Sequence, residues 1–357
     1  MKIIHILHPG RTGINGVTKA VFSLSKAQKQ NGHNVTILLE RAHSLINEEE
    51  SSIVTTLNKF KQIINNIKPD IVIFHSLYYI KHLIFAYYLK RQDIPYGIVF
   101  HGGASIDNFK KNHFKKYLAN KLLFNYFLKN TYGVIYLNKG EQDKSIFRKL
   151  KLKEYIIPNG IEGIVYGKDS VSNSKEIKIM FLGRMDYYGK GLDILYKAIQ
   201  NIKNNGNITN IKLLLYGYAY DKTSEIWNNN GSISKYYGPV FGVDKDKAFQ
   251  EANIFILPSR SEGMPITILE ALANGLPCIV TPETNMADVI IANQAGWSSK
   301  LEVAALTHTI IQACNDYRNN QVTLINAAYN LAKQYSWHKI AANSIPIYNS
   351  IINNSTS

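Results

Sequence analysis

Short apolar runs alternate with helix-patterned segments along the whole chain, and that alternation predicts a parallel α/β architecture. In the first half, IIHIL (3–7) leads through a glycine-bearing loop into a helical stretch near 16–31, then VTILLE (35–40), a helix around 53–67 and DIVIFH (70–75). Another helix leads to YGIVFH (96–101), a basic helix to GVIYLN (133–138), and then YIIPNG (155–160) follows. The stretch GIEGIVYGKDSVSNSKE is rich in Gly and Ser and carries no apolar period, which predicts a boundary near 161–175. The scheme then restarts with IKIMFLG (177–183), a helix over 191–203, IKLLLYG (211–217) and SKYYGPV (234–240). A helix near 244–252, NIFILPS (253–259), a helix near 265–274 and LPCIVT (276–281) complete it. Several strands are continuous apolar runs, as expected when helices cover both faces of a sheet. The fold class expected is α/β: two doubly wound, Rossmann-like domains facing a central cleft, with ligands beyond the carboxyl ends of the strands.

Composition agrees with two globular domains. The chain has 357 residues, 45% of them hydrophobic, too many for a disordered chain. Cys278 and Cys314 offer neither a disulfide framework nor metal-ligand spacing, and read as reduced thiols of a cytoplasmic protein. MKIIHILHPG reads as a first strand rather than a signal peptide. No run approaches the roughly 20 apolar residues that span a bilayer. The net charge of +15 is unevenly spread: residues 1–165 carry 24 Lys and Arg against 11 Asp and Glu, residues 166–357 carry 17 against 15. Its densest part is residues 108–130, where Lys110, Lys111, Lys115, Lys116, Lys121 and Lys129 alternate with Phe109, Phe114, Tyr117, Phe124, Tyr126 and Phe127. A solvated basic helix and a peripheral contact with an anionic membrane both fit this pattern. Nucleic acid is not expected as a partner, because no recognition motif accompanies the charge.

Two stretches carry chemistry. In SEGMPITILEALANGLP (261–277), Gly263 permits a sharp turn and Pro265 suits the first helical position, where its missing N–H is harmless. The amides from Gly263 to about Ile266 then point out of a helix N-terminus, a geometry that attracts phosphate. Glu262 and Glu270 are no matched acid–base pair: on one continuous helix they would lie about 12 Å apart. Carboxylates are poor phosphate partners, so each is better suited to ligand hydroxyls, which together with the amides points to a nucleotide sugar. A helix-dipole glutamate and a solvated flank glutamate explain the same residues without a ligand. The second stretch, GRMDYYGKGLD (183–193), sets Arg184 and Lys190 at a strand's carboxyl end among three glycines. A guanidinium fork and an ammonium there suit a diphosphate, while a plain basic loop remains the alternative.

These two stretches resemble the donor-binding motifs of retaining glycosyltransferases of family 4 (group 1), which have the two-domain GT-B fold. The resemblance extends over almost the whole chain. PGRTGINGVTKAVFSLSKAQKQNGHNVTIL is similar to the family's opening glycine loop, helix and second strand. VFHGG (99–103) resembles its histidine-glycine loop, IIPNGIE its Pro-Asn-Gly hinge, and YSWHKIA (335–341) its Trp-bearing returning helix. The resemblance implies an acceptor-side domain over 1–165, a donor-binding domain over 166–335 and a helix, 336–357, crossing back to the first domain.

It further implies that Glu262 contacts the donor sugar, with the amides of Gly263, Met264, Ile266 and Thr267 around Pro265 nearby. Glu270 would hold the ribose, and Arg184 and Lys190 the diphosphate, so that no metal and no other cofactor is expected beside a donor such as a UDP-sugar. Gly16 would approach the diphosphate, His101 the sugar, and the backbone around Val240 the base. Implied with this are a saccharide or lipid-linked acceptor and a place in surface-polysaccharide or glycolipid synthesis. Three positions depart from the family pattern: a single Asn15-Gly16 in the glycine loop, one extra residue between Arg184 and Lys190, and Glu162 where Asp is commoner. No carboxylate is evidently placed as a nucleophile, so front-face attack is the mechanism implied and Glu262 has a positioning and charge role. A sugar-nucleotide epimerase of the same fold and a silent partner subunit are the rival readings.

Overall fold

The computed structural model describes residues 1–9, 16–41, 51–106, 117–163, 176–205, 210–219, 226–227 and 233–354. The chain divides into two compact units, Met1–Glu162 with Ser336–Ser357, and Gly163–Tyr335.

Among the described residues, the first unit holds a seven-stranded parallel sheet of order β3-β2-β1-β4-β5-β6-β7. Its strands are β1 (Lys2–Leu7), β2 (Asn34–Leu39), β3 (Ser52–Ile53), β4 (Ile71–His75), β5 (Tyr96–Val99), β6 (Gly133–Tyr136) and β7 (Glu154–Ile156). Helices α1 (Gly16–Gln30), α2 (Leu57–Ile67) and α3 (Ile80–Arg91) connect the early strands. β4 and β5 are buried at every position, which is why their sequences read as unbroken apolar runs. The main core joins Ile4, Phe60, Phe74, Phe85, Tyr96 and Phe127. Further along lie a π-helical turn (Asn120–Phe124) running into α4 (Asn125–Lys129), and α5 (Lys139–Asp143). Lys110, Lys111, Lys115, Lys116, Phe109 and Phe114 of the basic segment lie outside the described residues.

The second unit holds a six-stranded parallel sheet, order β10-β9-β8-β11-β12-β13, again among the described residues. It comprises β8 (Ile177–Leu182), β9 (Ile211–Tyr216), β10 (Ser234–Gly238), β11 (Ile254–Leu257), β12 (Cys278–Val280) and β13 (Gly296–Ser298). With it run α6 (Leu192–Asn205), α7 (Gly242–Glu251), α8 (Ile266–Ala273), α9 (Ala287–Ala292) and α10 (Val303–Gln334), the last kinked at Asn320. Cys278 and Cys314 are both free and buried.

The final helix, α11 (Trp337–Asn353), belongs to the first unit and packs on α1 and β5. Ser336 caps it, accepting from the Lys339 amide. Gly97 and Gly133 make room for it: a Cβ on Gly133 would lie 2.8 Å from Ile351 Cγ1, and one on Gly97 3.4 Å from Ile351 Cδ1. Both sheets therefore reverse strand order once, between β1 and β4 and between β8 and β11. Crevices beyond the carboxyl ends of strands form at such switch points.

Candidate functional site

In the second unit the two loops leaving the switch-point strands are strapped together. After β11 comes Pro258-Ser259-Arg260-Ser261-Glu262, and after β8 comes the stretch Gly183 to Gly191. The Arg260 amide donates to the Gly189 carbonyl at 3.0 Å. The Arg260 guanidinium forks onto Asp193 at 2.7 and 2.8 Å, donates to the Tyr188 carbonyl and lies 3.8 Å from the centre of the Tyr188 ring. Burial raises the Asp193 pKa, but the Arg260 hydrogen bonds and charge outweigh it and the net shift is downward. Gly191, at φ 66°, is required: a Cβ there would run into the Pro258 carbonyl oxygen.

This strap brings Lys190 Nζ onto Glu262 Oε1, and the same oxygen accepts from Ser259 Oγ at 2.7 Å. Both side chains are about one-sixth exposed (17% and 15%), so the pair is reachable but partly screened from water. The loop backbone is pinned from behind. The Glu262 amide donates to the Glu283 carbonyl at 3.0 Å, and Asn285 Nδ2 donates to the carbonyls of Glu262 and Gly263 at 2.7 and 3.2 Å. Asn285 does this from a left-handed backbone (φ 58°), a conformation Asn tolerates. Arg184 is exposed and makes no hydrogen bond or ion pair among the described residues.

Pro265 differs from the sequence reading by one position. It caps α8 with extended backbone (φ −73°, ψ 119°) rather than occupying the first helical turn. Its carbonyl already accepts from Ile268 at 3.2 Å, which leaves Ile266 and Thr267 as N-terminal donors of the helix. Met264 is buried, and Gly263, Ile266 and Thr267 are half-buried. Glu270 does not join Glu262. It is buried on α8 and pairs with Lys245 of α7 at 3.0 Å. Val240 is half-buried two residues ahead of α7.

Gly16 and His101 belong to the first unit. Gly16 is the exposed first residue of α1, while Asn15 and the rest of the loop from 10 lie outside the described residues. His101 follows β5 with a left-handed backbone (φ 50°), a region few non-glycine residues enter and in which His is over-represented. Its loop is held by Glu141, whose buried carboxylate accepts from the amides of Gly102 and of Leu137, the latter at 2.7 Å. His101 Nε2 meets His75 Nδ1 at 2.9 Å, and burial lowers the His101 pKa to about 4. A second buried group stands near the carboxyl ends of β1 and β2. Glu40 lies 3.0 Å from His8 Nδ1 and 3.4 Å from His82 Nε2, and burial raises its pKa to about 7 despite the opposing charge of Lys81.

Sequence reasoning missed Ser259, Asp193, Arg260, Lys245, Asn285, Glu141 and His75. Ser259 and Arg260 sit just ahead of the Glu262 motif and were within reach of it. Lys245 and Asn285 join their partners across 25 and 23 residues, and no local spacing announces such a contact. Among the described residues no group of three or more His, Cys, Asp or Glu is arranged to hold a metal.

Two parallel-sheet α/β units of this topology define the GT-B fold class. A profile of glycosyl transferases group 1 matches residues 166–331, and one of glycosyltransferase family 4 matches residues 14–162. The chain belongs to the group 1 glycosyltransferases. It is 25% identical over 266 residues to an uncharacterized glycosyltransferase of Methanocaldococcus jannaschii, a match covering 69% of this chain and 65% of the relative, so the chain spans under two-thirds of that relative's length. Among solved structures it is similar to Anabaena HepE in complex with UDP, with a TM-score of 0.75 at 15% identity over 98% of this chain and 100% of the other. It is also similar to WaaG, a glycosyltransferase involved in lipopolysaccharide biosynthesis, with a TM-score of 0.67 at 13% identity over 97% and 99% of the two chains.

Proposed function

We propose that the protein is a retaining hexosyl- or N-acetylhexosaminyltransferase. It moves the sugar of a nucleotide sugar, such as a UDP-sugar, onto a saccharide or lipid-linked saccharide in surface-polysaccharide or glycolipid synthesis. The observation that carries this reading is the Lys190–Glu262–Ser259 cluster at the second sheet's switch point, with exposed Arg184 on the same loop as Lys190. In this reading the diphosphate takes Lys190 and Arg184 as counter-charges, which supply the leaving-group stabilisation that a metal provides elsewhere. Glu262, held by Ser259, is then free to orient donor-sugar hydroxyls, while Glu270 receives the ribose and the backbone at Val240 the base. The amides at the start of α8 add partial positive charge beside the diphosphate. The roles that the family resemblance implies for His101, at the sugar, and for Gly16, at the diphosphate, are carried into this reading. Departure of the diphosphate and attack by the acceptor take place on one face of the sugar, so no enzyme carboxylate is alkylated.

The acceptor reading rests on the first unit. Tyr117, Leu118, Leu123 and Tyr126 of the basic segment are exposed, as are Ile80, Ile84 and Tyr87 of α3, beside Lys121, Lys129 and Lys90. Apolar side chains interleaved with lysines suit an anionic bilayer surface and a peripheral place on the cytoplasmic face of the membrane.

Melting curves recorded with UDP-glucose, UDP-N-acetylglucosamine, UDP-galactose and GDP-mannose test the donor. One of them should raise the melting temperature by several degrees, and Lys190→Ala should remove that rise. A flat response to every nucleotide sugar would sink the donor assignment.

A further inference from the structure

The first unit contains a continuous chain of hydrogen bonds, buried up to His75, that ends on half-buried His101. Ser344 Oγ, on α11, donates to the Ala341 carbonyl at 2.7 Å. That leaves the hydroxyl oxygen as an acceptor, and Gln28 Nε2 of α1 donates to it at 2.9 Å. The Gln28 amide is thereby oriented, with Oε1 toward His5 Nε2 of β1 at 2.9 Å. His5 Nδ1 meets His75 Nε2 at 2.8 Å, and His75 Nδ1 meets His101 Nε2 at 2.9 Å. Ser344, Gln28 and His5 have no exposed surface and His75 has 2%. The Tyr348 hydroxyl shares the Gln28–Ser344 corner.

A carbonyl oxygen only accepts, so His5 must carry its proton on Nε2. A neutral imidazole has one N–H, so His5 Nδ1 is an acceptor and His75 must donate to it from Nε2. The same reasoning passes the pattern on: His75 Nδ1 accepts, and His101 donates from Nε2. We propose that Ser344, Gln28, His5 and His75 form a directional relay that holds His101 as its Nε2–H tautomer, leaving Nδ1 as a lone-pair acceptor, and that they are positioning residues for sugar transfer. Burial keeps the members neutral, lowering His5 to about 4 and His75 well below its ordinary value. The opposite direction requires Gln28 to turn its Nε2 to His5 and its oxygen to Ser344, which takes the Ser344 hydroxyl away from Ala341. A reversed relay gives His101 an Nδ1–H, a donor where the forward relay offers an acceptor. A substrate hydroxyl can donate to His101 only in the forward state.

The transfer role rests on the function proposed above, whereas the direction of the relay does not. Full-length protein labelled with 15N-histidine is examined by long-range proton–nitrogen correlation, which assigns a tautomer to each ring. Wild-type His5, His75 and His101 are expected as Nε2–H. Gln28→Leu orphans the His5 N–H and is expected to shift His101 to the Nδ1–H form. It should also lower kcat about tenfold for nucleoside diphosphate release from UDP-glucose, UDP-N-acetylglucosamine or GDP-mannose, with the donor KM unchanged. Ser344→Ala should give a smaller loss of kcat, and Ser344→Thr should restore it. An Nδ1–H His101 in the wild type overturns the relay even if Gln28→Leu fails to fold. Intact tautomers with unaltered kcat in folded Gln28→Leu overturn the positioning role. Should no nucleotide sugar be turned over by the wild type, the glycosyltransfer reading fails, while the spectra still decide the direction.

Discussion

Lys190 and Glu262 are each other's partner before any ligand arrives, so substituting one changes the state of the other. Lys190→Ala leaves Glu262 held by Ser259 alone, and Glu262→Ala leaves an ammonium facing the loop without its carboxylate. The pair is intermediate between a surface ion pair, worth under ~1 kcal/mol, and a buried one, whose one-sided removal costs about 3–5 kcal/mol. Each single substitution is expected to cost about 1–2 kcal/mol in stability while lowering kcat for transfer about 100-fold or more. Calorimetric melting and steady-state kinetics on both variants separate the two effects. A catalytic loss no larger than the stability change explains would remove these residues from the chemistry. The glutamates and cations were legible because each lies in a motif with its own strand and turn. Their placement in different environments was not, since Glu270 finds Lys245 through the tertiary fold and not through spacing. The histidines of β1 and β4 were hidden in apolar strand runs, where a single polar residue looks like an interruption rather than part of a chain.

At the level of elements, the strap between the β8 and β11 loops is what aligns the proposed donor groups. Arg260 makes its fork to Asp193 with side chains about one-fifth exposed, so the pair contributes little to global stability, about 1 kcal/mol at most. Its effect should instead fall on the loop. Arg260→Ala is expected to raise the donor KM several-fold with a melting temperature within a few degrees of wild type, measured by nucleotide titration and calorimetry. An unchanged KM would mean that the loops align without the strap. Most strands were legible as apolar runs bounded by turn residues. The exceptions are β3, two residues long, and β13, three residues of Gly-Trp-Ser, which are held by neighbours rather than by pattern. The long α10 also escaped the sequence reading. Its backbone leaves helical geometry at Asn320 (φ −132°, ψ 31°), with buried residues on both sides of the kink.

For the whole molecule, the buried titratable groups of the first unit set its response to acid. His5 and His101 are lowered to about 4, His82 to about 3, and His75 well below 6.5, in each case chiefly by burial. As pH falls from 6.5 toward 4 the unfolded chain takes up protons that the native histidines refuse, so stability is lost over that window. Glu40 works the other way. With its pKa raised to about 7, it binds its proton more tightly in the native state between pH 7 and 4.5, and gains stability as pH falls. Burial also raises the Glu141 carboxyl, which acts in the same sense as Glu40. Each tenfold change in a group's proton affinity on folding is worth about 1.4 kcal/mol, so four histidines outweigh two carboxyls. The protein is expected to melt several degrees lower at pH 5 than at pH 7.5, and Glu40→Gln should steepen that loss while raising stability at pH 8. Equal melting temperatures across this range would mean that the histidines are hydrated rather than dry. The return of α11 to the first unit has a consequence for how the protein is made. Ribosomes deliver residues 163–335 before the helix that fills the notch at Gly97 and Gly133. The first unit must therefore wait, with that notch and the Gln28 amide open, while the whole second unit emerges. The unit that starts first is the last to be sealed.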